Sequence, residues 1–374
     1  MKKIAVNTRL LLENKLEGIG RFAYEVLKRM TVNHPEIDFF FLFDRPYSKQ
    51  FIFNKNVHPV TVFPQARHPL LYYWWFEFSL PRVFKQIQPD VFFSPEGYLS
   101  LKSDVPQVNV IHDLNFEHYP HFLPASERAF YRKFFPRYAR KAKKIITVSE
   151  FSKQDIIHKY NVSSEKISVV YNGVSSSFHS VSDSVKQSVR KQYAGGKPYF
   201  FYVGAIHERK NIANMLKAFD LFKKQTGSNI RFLLAGNKKW WSEHIQNTYQ
   251  NLSFKDEVTF LGRVEDDELN RLLAASEGLM YVSFFEGFGL PVLEAMQCNV
   301  PVLTSNCSSL PEIGGDAVFY ANPGNIKDIA DKMKLIWENK VEAANRKKRY
   351  VSVLQKFDWD KSSERIFEIL ISTS

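Results

Sequence analysis

The chain has 374 residues, 44% hydrophobic and 24% charged, which is enough for two ordinary globular domains with real cores and excludes a disordered tail, a collagen-like rod and a disulfide scaffold. Two cysteines, Cys298 and Cys307, exclude a cysteine-based metal cluster and fit a reducing compartment. An excess of 51 Lys+Arg over 39 Asp+Glu gives a formal charge of +12, which leaves nucleic acid, an anionic membrane surface and phosphorylated substrates all open as partners.

Met1-Lys2-Lys3 opens like a signal peptide, but the apolar run 4–6 stops at Asn7-Thr8-Arg9. A secretory core takes about 7–15 apolar residues. No window approaches the ~18 apolar residues of a membrane span. The expectation is a cytoplasmic protein, with a contact at the inner face of the cytoplasmic membrane left open.

Residues 4–8 read as a strand and 20–30 as a helix, followed by strands at 38–43, 90–94, 107–111, 144–148 and 167–171. Helical stretches at 127–142 and 153–160 lie between them. This alternation is the mark of βαβ units on a parallel sheet. The run Leu71-Tyr72-Tyr73-Trp74-Trp75-Phe76-Glu77-Phe78 reads as buried helix packing. Residues 130–144 mix seven cations with aromatics, which suits either an anionic membrane surface or a solvated helix face with a buried aromatic side.

Residues 175–196 carry seven serines and end in Gly195-Gly196-Lys197-Pro198, so they read as a connector. Beyond it the alternation restarts. Strands are expected at 199–203, 230–235, 258–260, 278–282 and 300–304. Helices are expected at 212–224, 266–275, 291–297 and 359–372. The fold class is α/β, with two Rossmann-like doubly wound domains. The domains are placed at 1–177 and 197–356, with a linker at 178–196 and a final helix at 357–374. In open α/β sheets ligands sit beyond the carboxyl ends of strands, so a cleft between two such domains is the expected site.

Four loops carry candidate chemistry. Glu17-Gly18-Ile19-Gly20-Arg21-Phe22-Ala23 spells G-x-G-x-x-A with Asp38 downstream, but its glycines lie well past strand 4–8. A dinucleotide fingerprint needs the turn immediately after the strand, so this is a flexible loop feeding a helix. His112-Asp113 ends strand 107–111, either as a substrate contact or as a core histidine satisfied by backbone. Gly204-Ala205-Ile206-His207-Glu208-Arg209-Lys210-Asn211 follows strand 199–203. It reads as a diphosphate clamp or as an exposed basic turn. The richest loop is Ser283-Phe284-Phe285-Glu286-Gly287-Phe288-Gly289-Leu290-Pro291-Val292-Leu293-Glu294. Gly287 and Gly289 admit a ligand close to the backbone, Pro291 suits a helix start, and the free N–H groups there attract anions. Glu286 and Glu294 are placed to accept hydrogen bonds from sugar hydroxyls.

These strings, with Ile111-His112-Asp113, Val148-Ser149-Glu150-Phe151, Tyr171-Asn172-Gly173-Val174 and Ser309-Leu310-Pro311-Glu312-Ile313-Gly314, resemble family 4 glycosyltransferases of the GT-B fold, and among them the bacterial mannosyltransferase-like subgroup. The resemblance covers nearly the whole chain and implies two domains facing across a cleft, with the last helix crossing back to the first domain. It implies retaining, metal-independent transfer of a hexose from a nucleotide diphosphate sugar, with GDP-mannose the best match, to a saccharide or lipid-linked saccharide acceptor in surface polysaccharide synthesis. No cofactor beyond that co-substrate is implied, and no nucleic acid.

Residue by residue, the resemblance puts Glu286 near the donor sugar and the backbone of Gly287, Phe288, Gly289 and Leu290 on sugar and phosphate. It puts Glu294 on the ribose, and Arg209 and Lys210 on the leaving diphosphate beside Gly204. Gly236, Gly262, Arg263 and Val264 would lie near the nucleobase. His112 would contact the transferred sugar, and Gly18, Gly20, Arg21 and Asp113 would form the acceptor side. One departure is Ala205, where many members carry Arg. Asp358-Trp359-Asp360 is the one Asp-x-Asp string, and helix capping explains it without a metal. Two alternatives remain at this level: a nucleotide-sugar epimerase of the same fold, needing no acceptor, and a basic nucleic-acid-binding protein, which lacks any helix-turn-helix or zinc pattern.

Overall fold

The computed structural model describes residues 2–13, 15–16, 18–237 and 241–374; Glu17 of the glycine loop lies outside them. The chain forms two compact units, one of residues 1–173 with 358–374 and one of residues 174–357.

The first unit holds strands β1 (Lys3–Asn7), β2 (Asp38–Phe43), β3 (Val57–Thr61), β4 (Val91–Ser94), β5 (Gln107–Val110), β6 (Lys144–Thr147) and β7 (Ile167–Val169). They form one sheet in the order β3-β2-β1-β4-β5-β6-β7, parallel throughout. Ile4, Ala5 and Val6 are fully buried, as are Phe92 and Phe93. Such unbroken apolar runs belong to strands covered on both faces. β3 contains Pro59 and lies at the sheet edge, where a missing N–H does least harm.

Two sequence expectations change here, and a third is narrowed. Gly18 and Gly20 are not in a flexible loop: helix Gly18–Asn33 begins at them. A Cβ on Gly20 would lie 2.7 Å from the Leu10 carbonyl oxygen, whereas Gly18 faces open space. The aromatic run divides rather than burying as a whole. Trp75 and Phe76 are buried in a π-helical turn, while Leu70 and Trp74 of helix Pro69–Trp74 are 75% and 50% exposed. In helix Ala125–Lys141 the aromatics Phe130, Phe134, Phe135 and Tyr138 are buried and Arg132, Lys133 and Arg137 are exposed.

The final helix, Trp359–Thr373, belongs to this first unit. Asp358 caps it through the Asp360 N–H at 2.7 Å, and Asp360 pairs with Arg29 at 2.6 Å. Ser363 donates to the Val26 carbonyl at 2.9 Å. Trp359 lies edge-on to Phe22 at 6.1 Å, and a Cβ on Gly173 would lie 2.3 Å from the Trp359 nitrogen. Only glycine lets the backbone pass the tryptophan that closely.

The second unit holds β8 (Tyr199–Val203), β9 (Arg231–Ala235), β10 (Val258–Gly262), β11 (Gly278–Tyr281), β12 (Val302–Ser305) and β13 (Phe319–Ala321). Their order is β10-β9-β8-β11-β12-β13, again all parallel. The serine-rich stretch is no simple connector. It contains helix Asp183–Ala194, capped by Ser182 and stopped by Gly195 in the left-handed conformation. Val189 and Ala194 are buried and Arg190 bonds Glu277 at 2.8 Å. Ser and Gly serve there as start and stop signals rather than linker composition.

In both sheets the winding reverses between two neighbouring strands, β1 and β4 in the first and β8 and β11 in the second. Ligands in such sheets bind outside the carboxyl ends of the strands at that reversal.

Candidate active site

The loops after β8 and β11 flank the reversal of the second sheet. After β8 the chain turns at Gly204, with φ of +144°. Gly236 follows β9, and a Cβ on it would lie 1.8 Å from the Gly204 oxygen. The Gly236 N–H donates to the Gly262 carbonyl at the end of β10, at 2.7 Å. Three glycines predicted from sequence thus form one side-chain-free edge across β8, β9 and β10. Arg263 and Val264 leave that edge, exposed and half-buried.

A short 3-10 turn, Glu208–Lys210, then aims the two cations. His207 Nδ1 accepts the Arg209 N–H at 3.0 Å. Asn211, buried and at φ +61°, ends the turn. Its side-chain amide donates to the carbonyls of Val282 and Pro323 at 2.9 and 2.8 Å, tying this turn to the loops after β11 and β13. Asn tolerates the left-handed conformation better than other non-glycine residues, which is the signal its place in Arg-Lys-Asn carries.

Glu286 arrives from the other side. Its carboxylate accepts from Lys210 Nζ at 2.6 Å and from Arg209 Nη1 at 3.4 Å. Arg209 Nη1 also donates to the Phe285 carbonyl at 2.6 Å, and Lys210 Nζ to the Tyr281 hydroxyl at 2.9 Å. Glu286 is buried. Burial pushes its pKa up, but Lys210 and then Arg209 outweigh that and hold it at about 2. Glu286 is therefore a fixed negative charge at neutral pH, with both oxygens engaged. The Glu286 N–H donates to the Ser308 hydroxyl at 3.2 Å, and Ser309 donates to the carbonyls of Glu286 and Phe288 at 2.9 and 2.8 Å.

Gly287 and Phe288 are buried, and Phe288 lies edge-on to Phe357 at 5.7 Å. Gly289, at φ +115°, precedes helix Leu290–Gln297. A Cβ on it would lie 2.7 Å from Leu310. Glu294 stands half-buried one turn into that helix. Two cations, one carboxylate and a helix N-terminus thus meet at the strand ends, a setting that favours an anionic group.

In the first unit, His112 follows β5 and is half-buried. Its Nε2 donates to the Pro95 carbonyl at 2.8 Å, and its ring meets Phe22 edge-on at 4.8 Å. Burial lowers its pKa below the usual histidine range. The ring is thus neutral at pH 7, and the donor bond assigns its proton to Nε2 and leaves Nδ1 an acceptor. Asp113 Oδ1 accepts the Asn115 N–H at 2.9 Å and so shapes the next turn. Arg21 lies in the first turn of helix Gly18–Asn33, next to the buried Phe22, and is half-buried.

Tyr281, Ser308, Ser309 and Asn211 were given no role by sequence. Tyr281 carries no signal, since its hydroxyl matters only once β11 lies beside β8.

Residues 16–178 match the family described as Glycosyltransferase Family 4, and residues 184–352 the family described as Glycosyl transferases group 1. O-antigen chain mannosyltransferase RfbU of Salmonella typhimurium is 30% identical over 262 residues, covering 70% of this chain and 68% of that protein. The chain belongs to the family 4 glycosyltransferases. This glycosyltransferase is also 29% identical to O-antigen chain mannosyltransferase B of Escherichia coli, over 84% of this chain and 85% of that protein. Two solved structures share its fold. Sucrose-phosphate synthase of Thermosynechococcus elongatus has a TM-score of 0.80 at 16% identity, covering all of both chains. HepE of Anabaena, solved with UDP and glucose, has a TM-score of 0.78 at 18% identity, also covering all of both chains. These likenesses identify the fold as GT-B, with its two parallel-sheet α/β units.

Proposed function

We propose that this glycosyltransferase moves a hexose from a nucleotide diphosphate sugar, with mannose from GDP-mannose the leading pair, to a saccharide or lipid-linked saccharide acceptor in surface polysaccharide synthesis. The observation that carries the reading is the convergence of Lys210 and Arg209 on Glu286 at the reversal of the second sheet. The choice of mannose rests on the relatives named O-antigen mannosyltransferases.

Transfer breaks the bond between the anomeric carbon and the diphosphate oxygen, and negative charge grows on the diphosphate. Lys210, Arg209 and the N–H groups after Gly289 are fixed in advance to meet that charge, which is usually the largest catalytic term available. Glu286 orients the two cations. With both oxygens engaged it is a poor nucleophile, which favours direct attack by the acceptor hydroxyl on the leaving-group face. The acceptor oxygen then bonds the anomeric carbon with retention, and its proton passes to a diphosphate oxygen. No step in this scheme calls for a metal.

A lipid-linked acceptor calls for access to a membrane surface. Phe63, Leu70, Leu71, Tyr73 and Trp74 are all exposed on one short stretch of the first unit, and the exposed cations of helix Ala125–Lys141 belong to the same unit. Apolar and cationic side chains together suit the inner face of a cytoplasmic membrane. No helix among the described residues is long and apolar enough to cross one.

Thermal unfolding with GDP, UDP, ADP and their sugars tests the donor. A ligand at 100 times its Kd stabilises the native state by about 2.7 kcal/mol. Stabilisation by none of them, with no release of nucleoside diphosphate in the presence of acceptors, would falsify the reading.

A further inference from the structure

A second charged site lies at the other end of the donor-unit sheet. Ser276 and Glu277 precede β11, Val300 and Pro301 precede β12, and together they border a cavity of about 250 Å³. Helix Asp183–Ala194 adds Lys186 and Arg190 to its lining, and helix Lys340–Lys347 adds Lys340 and Lys347.

The charges there do not balance. Glu277 Oε1 accepts from Arg190 at 2.8 Å and Oε2 from Lys340 at 2.9 Å, so the one carboxylate of the lining is fully engaged. Lys186 reaches only Asp183, at 3.3 Å, whose side chain is 90% exposed; water screens such a pair to little net value. Lys347 has no carboxylate partner among the described residues. Burial, then the repulsion of Lys186 and Lys340, lowers its pKa below the usual lysine range. Four cations against one carboxylate leave the lining with a net charge of three in a partly enclosed space, and an anion there offsets the repulsion.

We propose that this cavity binds a phosphate-bearing anion, either inorganic phosphate or a small sugar phosphate, at a site separate from the donor site. The cavity is smaller than the ~300–1,000 Å³ of pockets that hold drug-sized ligands, so a nucleotide sugar does not fit. β11 is four residues long. At about 3.3 Å per residue it separates the cavity from Tyr281 by roughly 13 Å, and an occupant cannot touch Lys210. The inference does not depend on which donor the enzyme uses.

Calorimetric titration of the full chain with inorganic phosphate, against chloride at equal ionic strength, tests it. A hexose 6-phosphate arm separates the two sources, the tighter ligand being the occupant. The wild type and Lys210→Ala bind alike, since the donor site is not involved. Lys186→Gln with Lys347→Gln weakens binding at least about tenfold, the scale of losing charge-assisted hydrogen bonds. The double variant unfolds in chloride at the wild-type temperature or above, and its phosphate-free transfer rate is unchanged. If the double variant does not express, Lys347→Gln alone gives the same readout. No binding by either ligand, undiminished binding in the double variant, or loss of binding in Lys210→Ala alone overturns the proposal.

Discussion

Lys210 touches both the carboxylate of Glu286 and the phenol of Tyr281, so its loss removes a fixed charge and one hydrogen bond from each of two buried groups. Lys210→Ala lowers the transfer rate on the order of 10²–10³-fold, the usual scale for deleting one preorganised electrostatic contact, with the unfolding temperature as the control. Glu286 adds a dependence on pH. Its pKa falls from 4.5 to about 2 on folding. The stability it contributes is therefore complete above pH 4.5 and is lost as pH drops from 4.5 through 2. The linkage amounts to roughly 3 kcal/mol. Denaturant unfolding from pH 6 to 2 shows this slope in the wild type, and Glu286→Gln lacks it. Sequence named Lys210 and Glu286 because charge type and strand-end position are written in the chain. It missed Tyr281 and Ser308 because a hydroxyl acquires a role only from the strand packed beside it.

Glycines separate conformational need from mere permissiveness at the scale of elements. Gly18 and Gly20 share the first turn of helix Gly18–Asn33, yet only Gly20 is pressed against backbone. Gly18→Ala leaves stability unchanged or raises it by up to about 1 kcal/mol, while Gly20→Ala and Gly236→Ala destabilise clearly in the same unfolding assay. The parallel strands were legible because double burial writes continuous apolar runs. β3 was not, since Pro59 disguises an edge strand. Helix Asp183–Ala194 was not legible either, because its capping Ser182 and stopping Gly195 look like linker composition. The run 71–78 misled for a third reason: apolar residues announce burial, and here Leu71, Tyr73 and Trp74 are exposed. If that exposed face meets membrane, Leu70→Ser with Trp74→Ser lowers co-sedimentation with anionic vesicles. Retention of full binding by the double variant removes the face from the account.

At the scale of the whole molecule the sequence order and the spatial units disagree in one place. Residues 358–374 end the chain but belong with residues 1–173, through Trp359 against Phe22 and Ser363 against Val26. Deleting them uncovers Phe22 and Val26, both buried in the intact unit. Such a truncation destabilises the first unit and leaves the second able to bind its nucleotide. The charge of +12 also resolves into places: Arg209 and Lys210 at the proposed donor site, an uncompensated group near Lys347, and the exposed side of helix Ala125–Lys141. The central claim is that the Lys210–Arg209–Glu286 cluster holds the diphosphate of a sugar nucleotide. Calorimetric titration of GDP, and in parallel UDP, into the wild type and Lys210→Ala tests it most directly. The account predicts saturable binding of one nucleotide by the wild type and at least tenfold weaker binding by the variant. Equal binding by both proteins contradicts it.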